Sequence, residues 1–547
     1  MARSRLPHAL SMLLGALATC ACYGSDNGRS PPLERIYFPV GLIVSPLEAA
    51  AAGDAGGGAA ASGSRWLYVA NSDFDLQFNA GSLQVYDLEK LRAALKQPGV
   101  CAPGQEQSAA NRLLYPGPCN PVDTKSFLAA SVQIGAFVTG MTYARNPDPA
   151  QGGPEARLFL PTRGEARLDW VDVADEGDAN TLLECGQNPT TRACDENHRR
   201  GTEPSTPNGN DAVLPPEPFG VAVDDVGRAV VTAHQTSGQV SLFVNDWRQG
   251  PSLQFVLGGL PSGAMNVASV PTPRIALPTD PANPCSRSVP YQPGFLLTFR
   301  TAAQVQLLRF FEGCAANPEV PDGGFATPFL EGSRAAVIGT NSSGFDSRGI
   351  AIDAEARRAC ENACPVGSGR ETCLTGCATV PLDVYVANRT PATLVIGKTR
   401  SDLPAPPGVE TNPPTSVPSS DAPVFIDSVP VSAGASTVAV GKVLDRNGKA
   451  VTRVFIVSFD ARQIFVYDPV PPGRIETTIA TGRGPQAIAI DAIAQDEAAG
   501  EPGHAFGYVA QFTDSYVGVV DLDQRHVETY GQMILTLGEP VPPRASK

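Results

Sequence analysis

The apolar positions fall into short runs that recur in a fixed order. The clearest unit stands near the end. Pro485-Gln486-Ala487-Ile488-Ala489-Ile490-Asp491 is a run of small and branched residues closing on Asp, and Tyr508-Val509-Ala510 follows. Val517-Gly518-Val519-Val520-Asp521-Leu522 completes the unit. The first run has six earlier copies: Val40–Val44, Phe137–Met141, Pro218–Asp224, Met265–Ala268, Arg348–Asp353 and Ser436–Val440. The second run recurs at Leu67–Asn71, Leu158–Leu160, Ala229–Thr232, Phe295–Leu297, Val384–Asn388 and Val454–Val457. The third closes on Val85-Tyr86-Asp87-Leu88, Val171-Asp172-Val173 and Phe465-Val466-Tyr467-Asp468, with a fainter copy near Leu307-Leu308. Seven ordered copies of short strands with turn residues between them predict an all-β chain. We read a seven-bladed β-propeller of four-stranded blades, because a β-sandwich has no place for seven such copies. Small residues in the first run suit the crowded axis, and Tyr and Phe suit the roomier outer strands. The Asp after the third run suits a turn, where its carboxylate accepts backbone N–H groups. Ile534-Leu535-Thr536-Leu537-Gly538 resembles a fourth strand, and Arg35-Ile36-Tyr37-Phe38 is an alternative outer strand for closing the ring.

Tyr68-Val69-Ala70-Asn71 and Tyr385-Val386-Ala387-Asn388 resemble the Tyr-Val-Thr-Asn signature of the YVTN-type β-propellers. The flanking Pro-x-Gly-Val-Ala-Val-Asp and Val-x-Asp-Leu pieces are similar to the rest of that repeat. The resemblance implies a propeller and an envelope or surface setting. Its members differ widely in activity, so it implies no particular function.

Spacing shows where extra chain is inserted. First-run starts near 40, 137, 219, 265, 349, 435 and 486 leave only the third and sixth intervals close to the length of a bare blade, about 40–45 residues. The other intervals carry long insertions. Residues 49–64 form a low-complexity Ala/Gly/Ser segment, and residues 402–423 are Pro-rich. Residues 354–380 hold Cys360, Cys364, Cys373 and Cys377 in a C-x3-C-x8-C-x3-C spacing. Residues four apart share a helix face, so two short antiparallel helices would bring these cysteines together. That geometry predicts Cys360–Cys377 and Cys364–Cys373 disulfides. A four-cysteine zinc site is the rival. Three further loop pairs, Cys101–Cys119, Cys185–Cys194 and Cys285–Cys314, complete a scheme for ten of the twelve cysteines. Disulfides inside loops that lack a core of their own fit an oxidising compartment.

The remaining two cysteines lie in the leading segment. Arg3 and Arg5 precede a short apolar stretch, Ala9–Ala18, that cannot span a bilayer. Leu17-Ala18-Thr19-Cys20 resembles a bacterial lipobox, which implies a signal peptide over 1–19 and lipidation at Cys20, with Cys22 as the alternative. A cleaved, unlipidated periplasmic protein is the competing reading. Residues 20–33 would then be a flexible tether and 34–547 a single propeller domain. Ala21 in place of Asp after Cys20 points to the outer membrane, facing the periplasm or the cell surface.

Charge and side-chain chemistry narrow the function. The 547 residues include 41 Lys+Arg and 55 Asp+Glu, a net charge of −14. This excess of acid excludes a nucleic-acid partner, which wants a basic stripe, and leaves a lipid anchor as the only membrane contact. Only five His are present, and His198, His234, His504 and His526 have no metal-ligand spacing. No nucleophile-elbow or haem-attachment motif occurs, so no catalytic residue and no cofactor is predicted. Asp73 and Asp75 are the weak candidates for calcium or another divalent metal, although the Gly and distal Glu of a calcium loop are missing. The expected function is a non-enzymatic, envelope- or surface-anchored scaffold binding a protein or glycan. The alternative is a lactonase-like, metal-dependent hydrolase with one divalent ion at the central channel.

Overall fold

Seven antiparallel sheets stand around one axis, six of four consecutive strands and one, in blade 2, with a fifth, as a computed structural model shows. The structure describes residues 29–46, 64–95, 98–101, 103–108, 115–175, 177–179, 182–201, 212–274, 293–312, 327–338, 345–399, 422–495 and 502–541. The inner strands of blades 1 to 7 are Pro39–Val44, Thr142–Arg145, Pro218–Val223, Ala264–Val270, Phe345–Asp353, Ala435–Leu444 and Pro485–Ile493. The second strands are Trp66–Asn71, Ala156–Thr162, Ala229–His234, Gly294–Phe299, Asp383–Thr390, Ala450–Ser458 and His504–Gln511. This is the seven-bladed propeller that the repeats predict. One inner strand is displaced from its prediction. In blade 2 the ladder begins at Thr142, while Phe137–Met141 runs ahead of it. Phe137 has φ 59°, and this stretch pairs with the sheet through a single Val138–Thr162 bridge among the described residues. The outer edge of that blade is split between Leu183–Glu184 and Arg199–Arg200.

The apolar core is a ring of seams. Among the described residues, seven of the nine hydrophobic clusters lie one at each junction of neighbouring blades, because each sheet is apolar on both faces. Trp66 and Trp170 are buried in this packing. Near the axis the blades approach so closely that a side chain has no room. A Cβ on Gly220 would lie 2.4 Å from Met265 O, and one on Gly349 would lie 2.7 Å from Val438 N. A buried polar belt marks the end of the second strands: Asn71, Thr162, His234, Asn388, Ser458 and Gln511. Asn71 donates to Ser82 and Gln84 Oε1, and Asn388 donates to Pro391 O. Asn71 therefore ties its strand to the third strand of blade 1, and Asn388 anchors the loop that follows it in blade 5. Asp residues ending third strands accept N–H groups from their turns, as Asp246 does from Arg248 and Gln249.

Blade 7 is complete in itself, with Met533–Leu537 as its fourth strand. Arg35–Phe38 joins no ladder, so it is not the closing strand; Ile36, Tyr37 and Phe38 are buried instead. Closure comes from apolar packing between blades 7 and 1 and from a latch. Val122, in a blade 1 loop, pairs with the outer strand of blade 7: its N–H donates to Thr536 O at 2.9 Å and its carbonyl accepts from Gly538 N at 2.9 Å. Both described ends of the chain meet this seam. Asn79 N donates to Arg29 O, and Val541 N donates to Asp514 O.

The cysteine-rich insertion forms two helices, Glu355–Ala363 and Arg370–Ala378, joined by Cys360–Cys377 and Cys364–Cys373 disulfides. It leaves blade 5 between the inner and second strands. Arg357 donates to Pro271 O, Arg358 pairs with Asp225, and Glu355 pairs with Lys442. The hairpin is thus fastened to blades 3, 4 and 6 as well. Trypsin should release Ala359–Arg370 and Glu371–Arg389 as one joined mass that separates only on reduction, and their separation without reductant would refute the cross-links. The structure also joins Cys101 to Cys119 and Cys185 to Cys194. Cys20, Cys22, Cys285 and Cys314 lie outside the described residues, as do 1–28 and nearly all of the two low-complexity insertions. Among the described residues, no helix is long and apolar enough to cross a membrane.

Candidate functional site

One end of the axis opens into a cavity of about 460 Å³. It lies on the face carrying the loops between second and third strands. Two repeated positions build it. In six of the seven blades the pairing of inner and second strand is interrupted by a β-bulge near this end. Bulges re-aim side chains, and here the bulged residues Val40, Gly220, Asn266, Arg348, Ser436 and Gln486 all line the cavity. The second position lies at the exit of the second strand and is held by Ser72, Arg163, Gln235, Arg300, Arg389, Phe459 and Phe512 in blades 1 to 7; of these, Ser72, Arg163, Arg389, Phe459 and Phe512 line the cavity.

The residue types at these positions divide the mouth. Blades 6, 7 and 1 contribute an aromatic arc in which Phe512 touches Phe38, Phe74 and Phe459 at centroid distances of 5.2, 5.1 and 6.2 Å. Phe74 extends the arc to Phe137 at 5.8 Å and is itself 51% exposed. Guanidinium groups bound the arc on both sides: Arg348 and Arg389 from blade 5, and Arg163 from blade 2. Arg163 pairs with Glu217 at 2.8 Å, Arg348 pairs with Asp346 at 2.6 Å, and Arg389 pairs with Asp460. Arg300 also reaches Asp346, at 3.5 Å. These rim carboxylates hold the guanidiniums in place.

Among the described residues, the cavity lining contains no Asp, Glu, His or Cys. Its oxygens belong to amides, hydroxyls and the backbone. A divalent ion takes carboxylate, imidazole or carbonyl ligands; the described lining offers only neutral oxygens, among them those of Asn266 and Gln486, and so fits the axial metal of a hydrolase poorly. Asp73 and Asp75 lie in the loop that carries Phe74. Asp73 is buried, accepts the Phe78 N–H at 3.1 Å, and has no partner for Oδ2. Asp75 is exposed and accepts from Gln77 N at 3.3 Å. The pair organises its own loop and brings no third carboxylate. At the hairpin, three of the four cysteine sulfurs lie within 4.8 Å of one another. They are tied in disulfides and are not the thiolates that zinc binds.

Burial pushes the Asp73 carboxyl up to about 6, with the charge of Asp75 adding to the effect. The ionised form is thus disfavoured in the folded chain, and stability is gained as pH falls through 6 towards the unfolded value. Asp73→Asn should raise stability at pH 8 by about 1–2 kcal/mol after allowance for solvent screening at the loop. The gain should vanish near pH 4. Melting curves across this range would check it, and equal curves at pH 8 would count against it. His234 and Ser241 form a hydrogen-bonded pair at 2.8 Å that has the atoms of a base and nucleophile. Both are fully buried, and burial pushes His234 down to about 4, which suits a structural role.

The site was not foreseen residue by residue. Arg163, Arg348, Arg389, Phe459 and Phe512 have no common type, and only their place in the repeat marks them.

No protein-family model matches the chain, and no curated protein matches it. Among solved structures it is similar to a putative 6-phosphogluconolactonase from Bacteroides uniformis, at 10% identity and TM-score 0.42, over 82% of this chain and 86% of that one. It is similar to the periplasmic gluconolactonase PpgL of Pseudomonas aeruginosa, at 12% identity and TM-score 0.37, over 82% and 86%. It is also similar to Kuenenia stuttgartiensis hydrazine synthase, at 10% identity and TM-score 0.42, over 91% and 99%. These likenesses are too distant to carry an argument about function.

Proposed function

We propose that the chain is a non-enzymatic binding propeller of the bacterial envelope, anchored through its leading segment, and that the axial mouth seats its partner. The observation behind this reading is the described lining, which combines an aromatic arc with guanidinium groups and carries no carboxylate, imidazole or thiol. A concave site with apolar walls and a few polar groups is the usual form of a binding pocket. The loop disulfides favour an oxidising compartment. A protein partner suits the mouth better than a glycan, since Phe74 and Leu76 expose apolar surface beside it.

Immobilised protein and a Phe74→Ala/Phe512→Ala variant of unchanged melting temperature should be exposed to envelope extracts. The expected result is a component retained by the first and lost from the second. Equal retention would move the recognition site away from the mouth.

A further inference from the structure

We infer that the mouth receives an oxyanion carried on an apolar body, of the kind a carboxylate beside an aromatic or branched aliphatic group supplies. This rests on the mouth being the binding seat and names the chemistry it selects. The chain as a whole carries a charge of −14, yet the described residues lining the cavity carry three guanidiniums and no carboxylate. The acids that accompany them stand at the rim and engage only part of each fork. Arg163 donates to Glu217 through Nη2, Arg389 to Asp460 through Nη2, and Arg348 to Asp346 through Nε and Nη2. A guanidinium has five N–H donors in a planar fork, so each retains donors after its rim pairing. Such a donor set matches a carboxylate-type oxyanion in shape as well as sign.

The apolar half is equally specific. Phe512 and Phe74 meet edge to face at an interplanar angle of 73°, leaving ring faces and edges for an apolar group. Met141, Met265 and Ile488 line the cavity with them. A volume of about 460 Å³ admits a small acid or one or two side chains of a peptide, and excludes a folded domain.

The probes are 3-phenylpropanoate and its neutral amide, 3-phenylpropanamide, titrated into the whole chain by calorimetry and saturation-transfer NMR. The acid should bind about tenfold more tightly than the amide, as loss of a charge-assisted contact implies. That margin should shrink as salt is raised, and Arg163→Gln/Arg389→Gln should bring the acid within about twofold of the amide. The salt series keeps the test decisive where the double variant folds poorly. Equal binding of acid and amide would overturn the oxyanion while leaving the mouth as a seat. Binding of neither probe, or binding unaffected by Phe74→Ala/Phe512→Ala, would overturn both readings. An acetylated tripeptide ending in Phe, with a free carboxylate, separates the sources. Tighter binding of the peptide than of 3-phenylpropanoate would place the oxyanion on a polypeptide partner, and the reverse order would place it on a free small acid.

Discussion

Replacing Arg157 by alanine is expected to lower stability by about 3–5 kcal/mol, since a buried ion pair loses its cation. Arg157 sits in the second strand of blade 2 and is 2% exposed. It makes a two-pronged pair with Asp172, at 2.5 and 3.2 Å, within its own blade. It then crosses to blade 3, donating to Asn245, to Asp246 O at 3.0 Å and to Trp247 O at 3.4 Å, with its guanidinium 5.5 Å from the Trp247 ring. Removing the side chain opens a cavity and strands Asp172 and the acceptors of blade 3 together. Arg157→Lys keeps the charge but loses the fork, and should recover less than half of the loss. The denaturant midpoint should fall while the slope of the transition holds. A midpoint shift equivalent to less than 1 kcal/mol would show that the two blades do not depend on this bridge.

The second large effect is expected at the axis, from adding a single carbon. Gly349→Ala would set a methyl group against three backbone or near-backbone atoms of blade 6: Val438 N at 2.7 Å, Thr437 Cα at 2.8 Å and Ser436 O at 3.0 Å. None of these is the end of a flexible side chain, so the inner strands themselves must move apart. Overpacking of this kind costs about 1–3 kcal/mol, and the upper end applies here. Thr437 and Val438 line the cavity, so ligand binding at the mouth should weaken with stability. Gly376→Ala, in a hairpin helix with nothing within 4 Å of the added carbon, is the control: it should leave binding unchanged and hold or slightly raise stability. A fully stable Gly349→Ala protein would refute the close approach.

The propeller was legible because each blade repeats the same physical demand: small residues at the axis, larger ones further out, and an Asp to close the turn. Sequence order alone set the seven copies in register. The hairpin was legible for a similar reason, since cysteine spacing and helix geometry together admit few pairings. Phe137–Met141 was misplaced because its apolar pattern is that of an inner strand while its backbone leaves the ladder. It lines the cavity instead. The latch at Val122 lay beyond reach, because one residue of a loop carries no periodic signal. The mouth was illegible for another reason. Neighbouring blades put Arg or Phe at equivalent positions, and only the bulges and the curvature of the ring bring those unlike residues to one cavity.

The seam between blades 7 and 1 has a bearing on orientation. Arg29 is held by the loop that carries Phe74, and Val541 by the corresponding loop of blade 7. Both ends of the described chain therefore emerge beside the mouth, and the disulfide-bonded hairpin lies on the opposite face. A molecule held by its leading end would turn the face that carries the mouth back towards the support and present the hairpin outward. Capture through the hairpin face would reverse this geometry and expose the mouth to solution.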